Sequence, residues 1–411
     1  MAFPLPGPVA QALSRLEGAG YAAYVVGGCV RDYTLGQTPH DYDICTAARP
    51  EEMQRIFQDQ RTIETGLKHG TLTVLFSGMP LEITTFRVDG AYTDGRHPDS
   101  VQFTARVEDD LSRRDFTINA MAYSPRTGLK DPFGGQADCQ RGLIRCVGDP
   151  EARFSEDALR ILRALRFSAR LGFPIETGTD RAIRAGRGQL IHVSRERIAA
   201  ELTGLLQGRE AERALGQYPE VLETTLPELR PLLNGPDWPR TLKTVSRAPT
   251  DPYLRWAALL LRCGQGAPSD ALALEILKSL KMSGKMMETV SQLVRWQDAA
   301  LVPHTLQEML MRIGPERLSQ LILLRRACRL AEGEAEAPVL TDTEALKQKM
   351  ASLLAENACY TLGQLAVNGR DMAAAGLRGK AIGDTLNSLL LQVTRGQLPN
   401  DREALLEALK R

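Results

Sequence analysis

Tyr21-Ala22-Ala23-Tyr24-Val25-Val26-Gly27-Gly28-Cys29-Val30-Arg31-Asp32 is where the chain declares its fold. A β-rich run enters two glycines, the pattern of a strand feeding a tight turn. A glycine pair lets backbone amides approach phosphate oxygens closely. Further on, Asp41-Tyr42-Asp43 sets two carboxylates two positions apart. In an extended segment such residues point the same way. They repel unless a cation lies between them, so the pair suits a hard divalent metal such as Mg²⁺. Two such ions roughly 3.5–4 Å apart activate an attacking oxygen and stabilise a leaving one. A pair of solvated loop acids is the plainer reading; the preceding glycines weigh against it.

Working outward, Thr71-Leu72-Thr73-Val74-Leu75-Phe76 and Leu81-Glu82-Ile83-Thr84-Thr85-Phe86 both read as strands. Only Ser77-Gly78-Met79-Pro80 separates them, which predicts a hairpin. A short amphipathic helix is predicted over Val9–Glu17, and another opening at Pro50 with Glu51 and Glu52 in its first turn. Asp89 to Ser100 is polar and reads as a mobile loop. From about Phe154 helical periodicity takes over. It predicts helices over 157–171, 195–206, 253–261, 270–280, 286–296, 305–312, 317–331, 343–356 and 383–394. Pro- and Gly-rich stretches at 227–239 and 264–268 read as linkers. The fold class is therefore α+β, a head of about 150 residues followed by an all-helical remainder.

Composition excludes several classes. The 411 residues are 43% hydrophobic and 25% charged, which fits a globular protein and not a disordered chain, a collagen or a simple coiled coil. No uncharged apolar stretch approaches the roughly 20 residues that span a bilayer. The start lacks the basic and long apolar regions of a secretory signal. Lys and Arg number 51 against 50 Asp and Glu, so contact with a polyanion would have to rest on local patches. Seven scattered cysteines with no CxxC pair point to a reducing, cytoplasmic setting.

The stretch Gly27-Gly28-x-Val30-Arg31-Asp32-x-x-Leu35-Gly36-x-x-Pro39-x-Asp41-x-Asp43 resembles the signature of class II tRNA nucleotidyltransferases and bacterial poly(A) polymerases. The likeness continues through Arg113-Arg114-Asp115-Phe116-Thr117-Ile118-Asn119-Ala120-Met121-Ala122 and Asp131-Pro132-Phe133-Gly134-Gly135. It then runs through Arg153-Phe154-x-Glu156-Asp157-x-x-Arg160, so that it spans about residues 20–206. Leu365-Ala366-Val367-Asn368-Gly369, with Gly376-x-x-Gly379-x-x-Ile382-Gly383, is similar to the tail of bacterial CCA-adding enzymes.

The resemblance implies a nucleotidyltransferase head with a small mixed β-sheet over residues 1–150. A helical neck with a nucleobase-recognition helix follows over 151–210, then a helical body over 211–340 and a tRNA-binding helical tail over 341–411. Asp41 and Asp43 are the implied metal ligands and catalytic residues, with Glu82 the candidate third carboxylate. Gly27, Gly28, Arg31, Arg113, Arg114, Asp115 and Asn119 are implied on the nucleotide, joined by Glu156, Asp157, Arg160 and Arg163. A planar guanidinium suits a triphosphate because its fork donates two hydrogen bonds at once. The implied activity is template-independent addition of C, C and A to tRNA, from CTP and ATP with Mg²⁺, in the cytoplasm and away from membranes. A poly(A) polymerase, a CC-only or A-only enzyme and a non-catalytic RNA-binding protein are the alternatives.

Base choice follows from hydrogen-bond complementarity. Ser155 reads as an N-cap, which puts Glu156 and Asp157 in a first helical turn with Asp157 and Arg160 on one face. Cytosine and adenine each present an exocyclic amine beside a ring-nitrogen acceptor, while uracil and guanine present the reverse. A carboxylate only accepts and a guanidinium only donates, so Asp157 with Arg160 matches C and A. The plainer reading is that the acids only complement the helix dipole.

The remaining signals are weaker. The Asp89–Pro98 segment resembles the flexible element that CCA-adding enzymes use in changing from C to A. His40 reads as a loop residue beside the metal motif. Arg160, Arg163, Arg166 and Arg170 form one basic strip and Arg325, Arg326 and Arg329 a second cluster, for phosphates or as solvated faces. Trp238, Trp256 and Trp296 read as core.

Overall fold

The computed structural model describes residues 3–64, 66–67, 70–90, 100–264 and 268–409. Its contacts divide the chain into two compact units, Met1–Pro227 and Glu228–Arg411.

The first unit is built on strands β1 (Ala23–Val26), β2 (Asp43–Thr46), β3 (Arg61–Ile63), β4 (Thr71–Phe76), β5 (Met79–Thr85), β6 (Arg87–Asp89), β7 (Val101–Phe103), β8 (Ala122–Ser124) and β9 (Gly128–Lys130). Seven form one mixed sheet in the order β3-β4-β5-β2-β1-β8-β9, and β6 with β7 forms a separate ribbon. The β2–β5 pairing is parallel; the other pairings are antiparallel. The predicted hairpin is present as β4–β5.

Helices α1 (Gly7–Gly18), α2 (Gly28–Thr34), α3 (Pro50–Ile56), α4 (Val107–Ser112) and α5 (Gly135–Arg141) surround this sheet. Alternation decides what each face meets. Leu72, Val74 and Phe76 of β4 are buried, while Thr71, Thr73 and Leu75 between them are half-buried. At the sheet centre Tyr24, Val26 and Cys45 are sealed by Val107 and Leu111 of α4. Toward β3 that cover stops, and Ile63 is 42% exposed.

Helices α6 (Pro150–Glu156), α7 (Leu159–Leu171), α8 (Thr177–Gly186), α9 (Arg195–Leu206), α10 (Ala211–Gln217) and α11 (Pro219–Thr225) complete the unit. α7 and α9 pack side by side, burying Ile161, Leu162, Leu165, Leu202 and Leu205.

The second unit is helical: α12 (Arg230–Leu233), α13 (Trp238–Arg247), α14 (Pro252–Leu260), α15 (Ser269–Ser279), α16 (Gly284–Arg295), α17 (Leu306–Ala331), α18 (Glu336–Ala355), α19 (Gly369–Ala374), α20 (Lys380–Thr394) and α21 (Arg402–Ala408). The two helices expected over 305–312 and 317–331 join as α17, broken where Gly314 leaves helical geometry (φ 76°, ψ 170°) ahead of Pro315. The stretch expected as a 227–239 linker contains α12 and the start of α13, because Leu229, Leu232 and Leu233 are buried. α18 starts earlier than the pattern predicts. Trp238 and Trp256 are core, whereas Trp296 is half-buried between the guanidinium groups of Arg295 and Arg312. The loop expected over 89–100 meets the structure only at its ends, where Gly90 N–H donates to Ser100 O at 2.8 Å; residues 91–99 lie outside the described residues.

Candidate active site

The glycine turn sits between β1 and α2. Gly27 adopts φ 78°, ψ −124°, and a Cβ there would lie 3.1 Å from Arg114 Nη1. A side chain would be strained and would push that guanidinium aside. Gly28 opens α2, the helix that carries Arg31. The pair is thus one turn residue followed by a helix start.

β2 begins at Asp43, which pairs in register with Glu82 on β5, while Glu82 pairs with Thr73 on β4. Asp43 stands open at a cleft rim, yet the protein around it strips away water. Burial raises its carboxyl pKa above the usual carboxylate range; Arg114 opposes the shift, and Glu82 and Asp41 add to it. Carboxylate oxygens set close together, one of them partly shielded from water, fit a hard divalent cation. Among the described residues no three His, Cys, Asp or Glu side chains converge as a metal-holding set. The fit therefore concerns Asp41 and Asp43, with Glu82 in the same cleft.

A cleft of about 410 Å³ opens beside Asp43, and Gly27, Gly28, Arg31, Arg113, Arg114, Asp115, Asn119, Asp157, Arg160 and Arg163 line it. Three segments separated in sequence, 27–31, 113–119 and 157–163, bring these residues together. Buried Asp110 on α4 receives Arg113 at 2.8 Å and Arg114 at 3.3 Å. Buried Asp115 accepts from Arg163 Nε at 2.7 Å, from the Phe116 amide at 2.8 Å and from Asn119 at 3.3 Å. Burial by itself would raise this carboxyl's pKa; Arg163 and these donors overcome it and hold it low. Arg31 donates to Asn119 Oδ1 at 2.8 Å and to Asp32 at 2.7 Å. The Phe167 ring lies against Arg31, Arg163 and Arg166.

The segment expected to start a helix at Ser155 is arranged differently. Ser155 lies inside α6, which ends at Glu156. Asp157 is extended (φ −149°, ψ 101°), and its Oδ1 accepts from the Leu159 amide at the start of α7. The cap is Asp157, because the chain turns sharply between two packed helices and its carboxylate meets the free amide there. Glu156 does not line the cleft; it pairs with Arg153 and, at 2.6 Å, with Arg160. Arg160 also donates to Arg113 O at 2.9 Å. Asp157 and Arg160 still face the same cleft.

Three lining residues escaped the sequence reading: Leu159, Phe167 and Arg197. Arg197, on α9, holds Asp157 Oδ2 at 2.7 Å. No local pattern announces it, because it arrives through α7–α9 packing. Asp110 was also missed, although its i,i+3 and i,i+4 spacing to Arg113 and Arg114 was available. The expected basic strips are largely engaged in the protein. Arg166 pairs with Glu201 at 2.5 Å, and Arg329 with Glu334 at 2.7 Å and Asp342 at 2.9 Å. Arg325 donates to carbonyls of Gln297 and Ala299.

Three family models match successive parts of the chain. The Poly A polymerase head domain matches residues 23–145, an RNA- and SrmB-binding site of polymerase A matches 172–238, and tRNA nucleotidyltransferase domain 2 matches 249–409. The CCA-adding enzyme of Limosilactobacillus fermentum is 37% identical over 411 residues, covering 98% of this chain and 96% of its own. This chain belongs to the CCA-adding enzyme family. A second CCA-adding enzyme, from Lacticaseibacillus paracasei, is 37% identical over 96% of this chain and 93% of its own. The crystal structure of the Bacillus stearothermophilus CCA-adding enzyme in complex with CTP superposes with a TM-score of 0.80, at 34% identity, over 99% of this chain and 98% of that one. CCA-adding enzymes are nucleotidyltransferases and generally use divalent metals. Among the described residues, no helix is long and apolar enough to cross a membrane.

Proposed function

We propose that this protein adds C, C and A to the 3′ end of tRNA, using CTP and ATP and releasing pyrophosphate. One observation carries the choice over a poly(A) polymerase. The likeness to CCA-adding enzymes spans the whole chain, tail included, and is not confined to the head. The head covers 1–150, the neck 151–210, the body 211–340 and the tRNA-holding tail 341–411. The setting is cytoplasmic.

The RNA 3′-OH attacks the α-phosphate of the bound nucleotide. Asp41 and Asp43 are the ligands for Mg²⁺, with Glu82 beside them; when bound, the ion lowers the negative charge around the reacting phosphate. Arg113 and Arg114, held by Asp110, offer planar donors to the triphosphate. Gly27 keeps side-chain bulk away from Arg114, and Gly28 begins the helix behind it. Arg31 and Asn119 brace one another at the inner wall. Asp115 anchors Arg163 there.

Asp157 accepts from the exocyclic amine of cytosine or adenine, and Arg160 donates to the ring nitrogen. Uracil or guanine would leave like partners facing each other, at about 1–3 kcal/mol per desolvated group. Glu156 and the Arg113 carbonyl fix the Arg160 guanidinium, and Arg197 fixes the Asp157 carboxylate. A bound base then meets donors and acceptors already oriented.

The test is direct. The protein is incubated with tRNA lacking its terminal CCA, with CTP and ATP separately and together, and the ends are sequenced. Ends that stop at CCA are expected; long A tracts overturn the reading in favour of a poly(A) polymerase, and ends that stop at CC or gain only A assign a partial enzyme.

A further inference from the structure

Asp41, Tyr42 and Asp43, with His40 and Glu82 beside them, line a second cleft of about 560 Å³, and Asp43 borders the arginine-lined one as well. The two aspartates are not held alike. Asp43 opens β2 and is paired in register with Val26 on one side and Glu82 on the other. Asp41 lies ahead of that strand, in a stretch without helix or strand. Tyr42 stands between them. We propose that Tyr42, Tyr33, Phe3 and Pro4 form a relay that sets Asp41 against Asp43 for the divalent ion, with Tyr33 and Tyr42 as positioning residues. The inference rests on the metal role given to those aspartates above.

The relay runs from atom to atom. Tyr42 Oη lies 2.9 Å from Tyr33 Oη. Tyr33 Oη in turn donates to the Pro4 carbonyl oxygen. A phenol has one proton to donate, and a carbonyl only accepts. Tyr33 therefore gives its proton to Pro4, and the proton between the two phenols comes from Tyr42. Both hydroxyls are engaged, in one direction, from the carboxylate loop outward. The two tyrosine rings also meet, tilted by 51° with centroids 6.3 Å apart.

The far end of the relay is clamped. Phe3 is buried, and its ring stacks on Tyr33 with centroids 5.0 Å apart and planes 8° from parallel. The same ring meets Tyr123 of β8 at 4.5 Å, and the Phe3 N–H donates to Tyr123 Oη at 3.3 Å. Pro6 then leads into α1, which buries Val9, Ala12, Leu13 and Leu16. Near the other end of α1, Glu17 accepts from Ser124 of β8 at 2.6 Å. Phe3 and Pro4 are thus tied to the sheet from both sides, and a hydrogen bond that ends on Pro4 ends on a fixed point.

Helix α2 joins this relay to the other cleft. Tyr33 follows Arg31 by two residues on α2, and Arg31 lines the arginine-lined cleft and donates to Asn119 at 2.8 Å. One short helix therefore carries a cation of one cleft and the hydroxyl that holds the loop of the other. The loop needs holding, because Asp41 and Asp43 repel each other until a cation binds. Register fixes Asp43, so the separation of the two carboxylates depends on where Tyr42 keeps Asp41. Packing alone would be served by phenylalanine at 33 and 42; two phenols in series on a carbonyl add a defined position. A site whose ligands are already placed loses less on binding than one that must first order them.

Tyr33→Phe and Tyr42→Phe each keep the ring and remove one link. Mn²⁺ binding is followed by electron paramagnetic resonance with a non-hydrolysable CTP analogue present and no RNA, so that no transfer takes place. Each variant is expected to weaken Mn²⁺ binding about three- to tenfold, the effect of one lost hydrogen bond. The double variant should bind no more weakly than either single one, because both break the same chain. Phe3→Ala, which touches neither aspartate, should shift binding in the same direction. In CMP addition to tRNA, the Mg²⁺ concentration for half-maximal rate should rise by the same factor. Saturating Mg²⁺ should restore kcat and leave KM for tRNA at the wild-type value, whereas a partly unfolded protein would lose kcat at every Mg²⁺ concentration. Unchanged Mn²⁺ binding in any of the three single variants, additive losses in the double one, or a loss of kcat that Mg²⁺ does not restore would overturn the relay; the tyrosine variants decide alone if Phe3→Ala does not fold. Wild-type protein that binds no Mn²⁺ would overturn the metal reading and the relay with it. Wild-type protein that binds Mn²⁺ but extends no tRNA would instead overturn the proposed function.

Discussion

The two clefts that meet at Asp43 are built on opposite electrostatic plans. In the arginine-lined cleft, cations have acids behind them: Arg113 and Arg114 on Asp110, Arg163 on Asp115, Arg160 on Glu156. Their positions are set before any ligand arrives. In the carboxylate cleft, Asp41, Asp43 and Glu82 share a lining that holds, among the described residues, no arginine or lysine. One side is rigid and internally compensated, which is what orientation of a charged substrate requires. The other keeps an electrostatic deficit, which Arg114 only partly offsets at Asp43.

The largest effect should come from breaking that deficit. Asp43→Ala or Asp41→Ala is expected to leave less than about a tenth of wild-type addition of both C and A, with tRNA still binding in a gel-shift assay, because docking does not need the metal. Chelating Mg²⁺ should do the same. Stability moves the other way. Asp43 has a folded pKa above its unfolded value, so its ionised form destabilises the fold once pH exceeds both. Asp43→Asn should therefore raise Tm at neutral pH in EDTA, and this gain should shrink as pH falls toward the carboxylate range or when Mg²⁺ is added to the wild type. A lower Tm for Asp43→Asn in EDTA would show that the carboxylate is compensated after all.

Breaking the compensated side should cost structure as well as activity. Arg163→Ala strands the buried Asp115, at roughly 1–3 kcal/mol of stability by urea unfolding. Asp115 has its folded pKa held low, so its contribution is present above the unfolded pKa and is lost as pH falls through the folded one. The gap between wild type and Arg163→Ala should therefore close on acidification. A gap independent of pH would remove the ion pair as its cause.

Next in size is base choice. Replacing both Asp157 and Arg160 with Ala is expected to reduce the CTP over UTP ratio of kcat/KM by about ten- to a hundredfold. An unchanged ratio would mean that other groups read the base. Smallest is Arg197→Ala, which leaves Asp157 in place without its brace. A loss of selectivity of only a few fold is expected, measured by the same ratio, with the acceptor KM unmoved. A loss as large as that of the double variant would place Arg197 itself on the base.

How far the site was legible depended on sequence distance. The strand–Gly27 turn and the β4–β5 hairpin rest on near neighbours, and each appeared where the pattern put it. The Asp157 segment did not. Its acidic run looks like a first helical turn, but α6 and α7 pack at a corner, so Asp157 caps the second helix from an extended conformation. The helices at 230–247 were hidden by prolines that proved compatible with helix starts.

By itself the sequence determined which groups were available: two carboxylates at strand spacing, a glycine where a Cβ would strike an arginine, and a run of arginines and acids in the order of one enzyme family. Local rules suffice because strand alternation, turn geometry and capping act over a few residues. Only the tertiary structure decided the partners. Asp115 takes Arg163 from 48 residues away and Asp157 takes Arg197 from 40 away. The Thr73–Glu82–Asp43 row exists because β2 and β5 run parallel in one register. Such pairings follow from how buried faces fit together, and packing is a property of the whole chain that no short window of sequence contains.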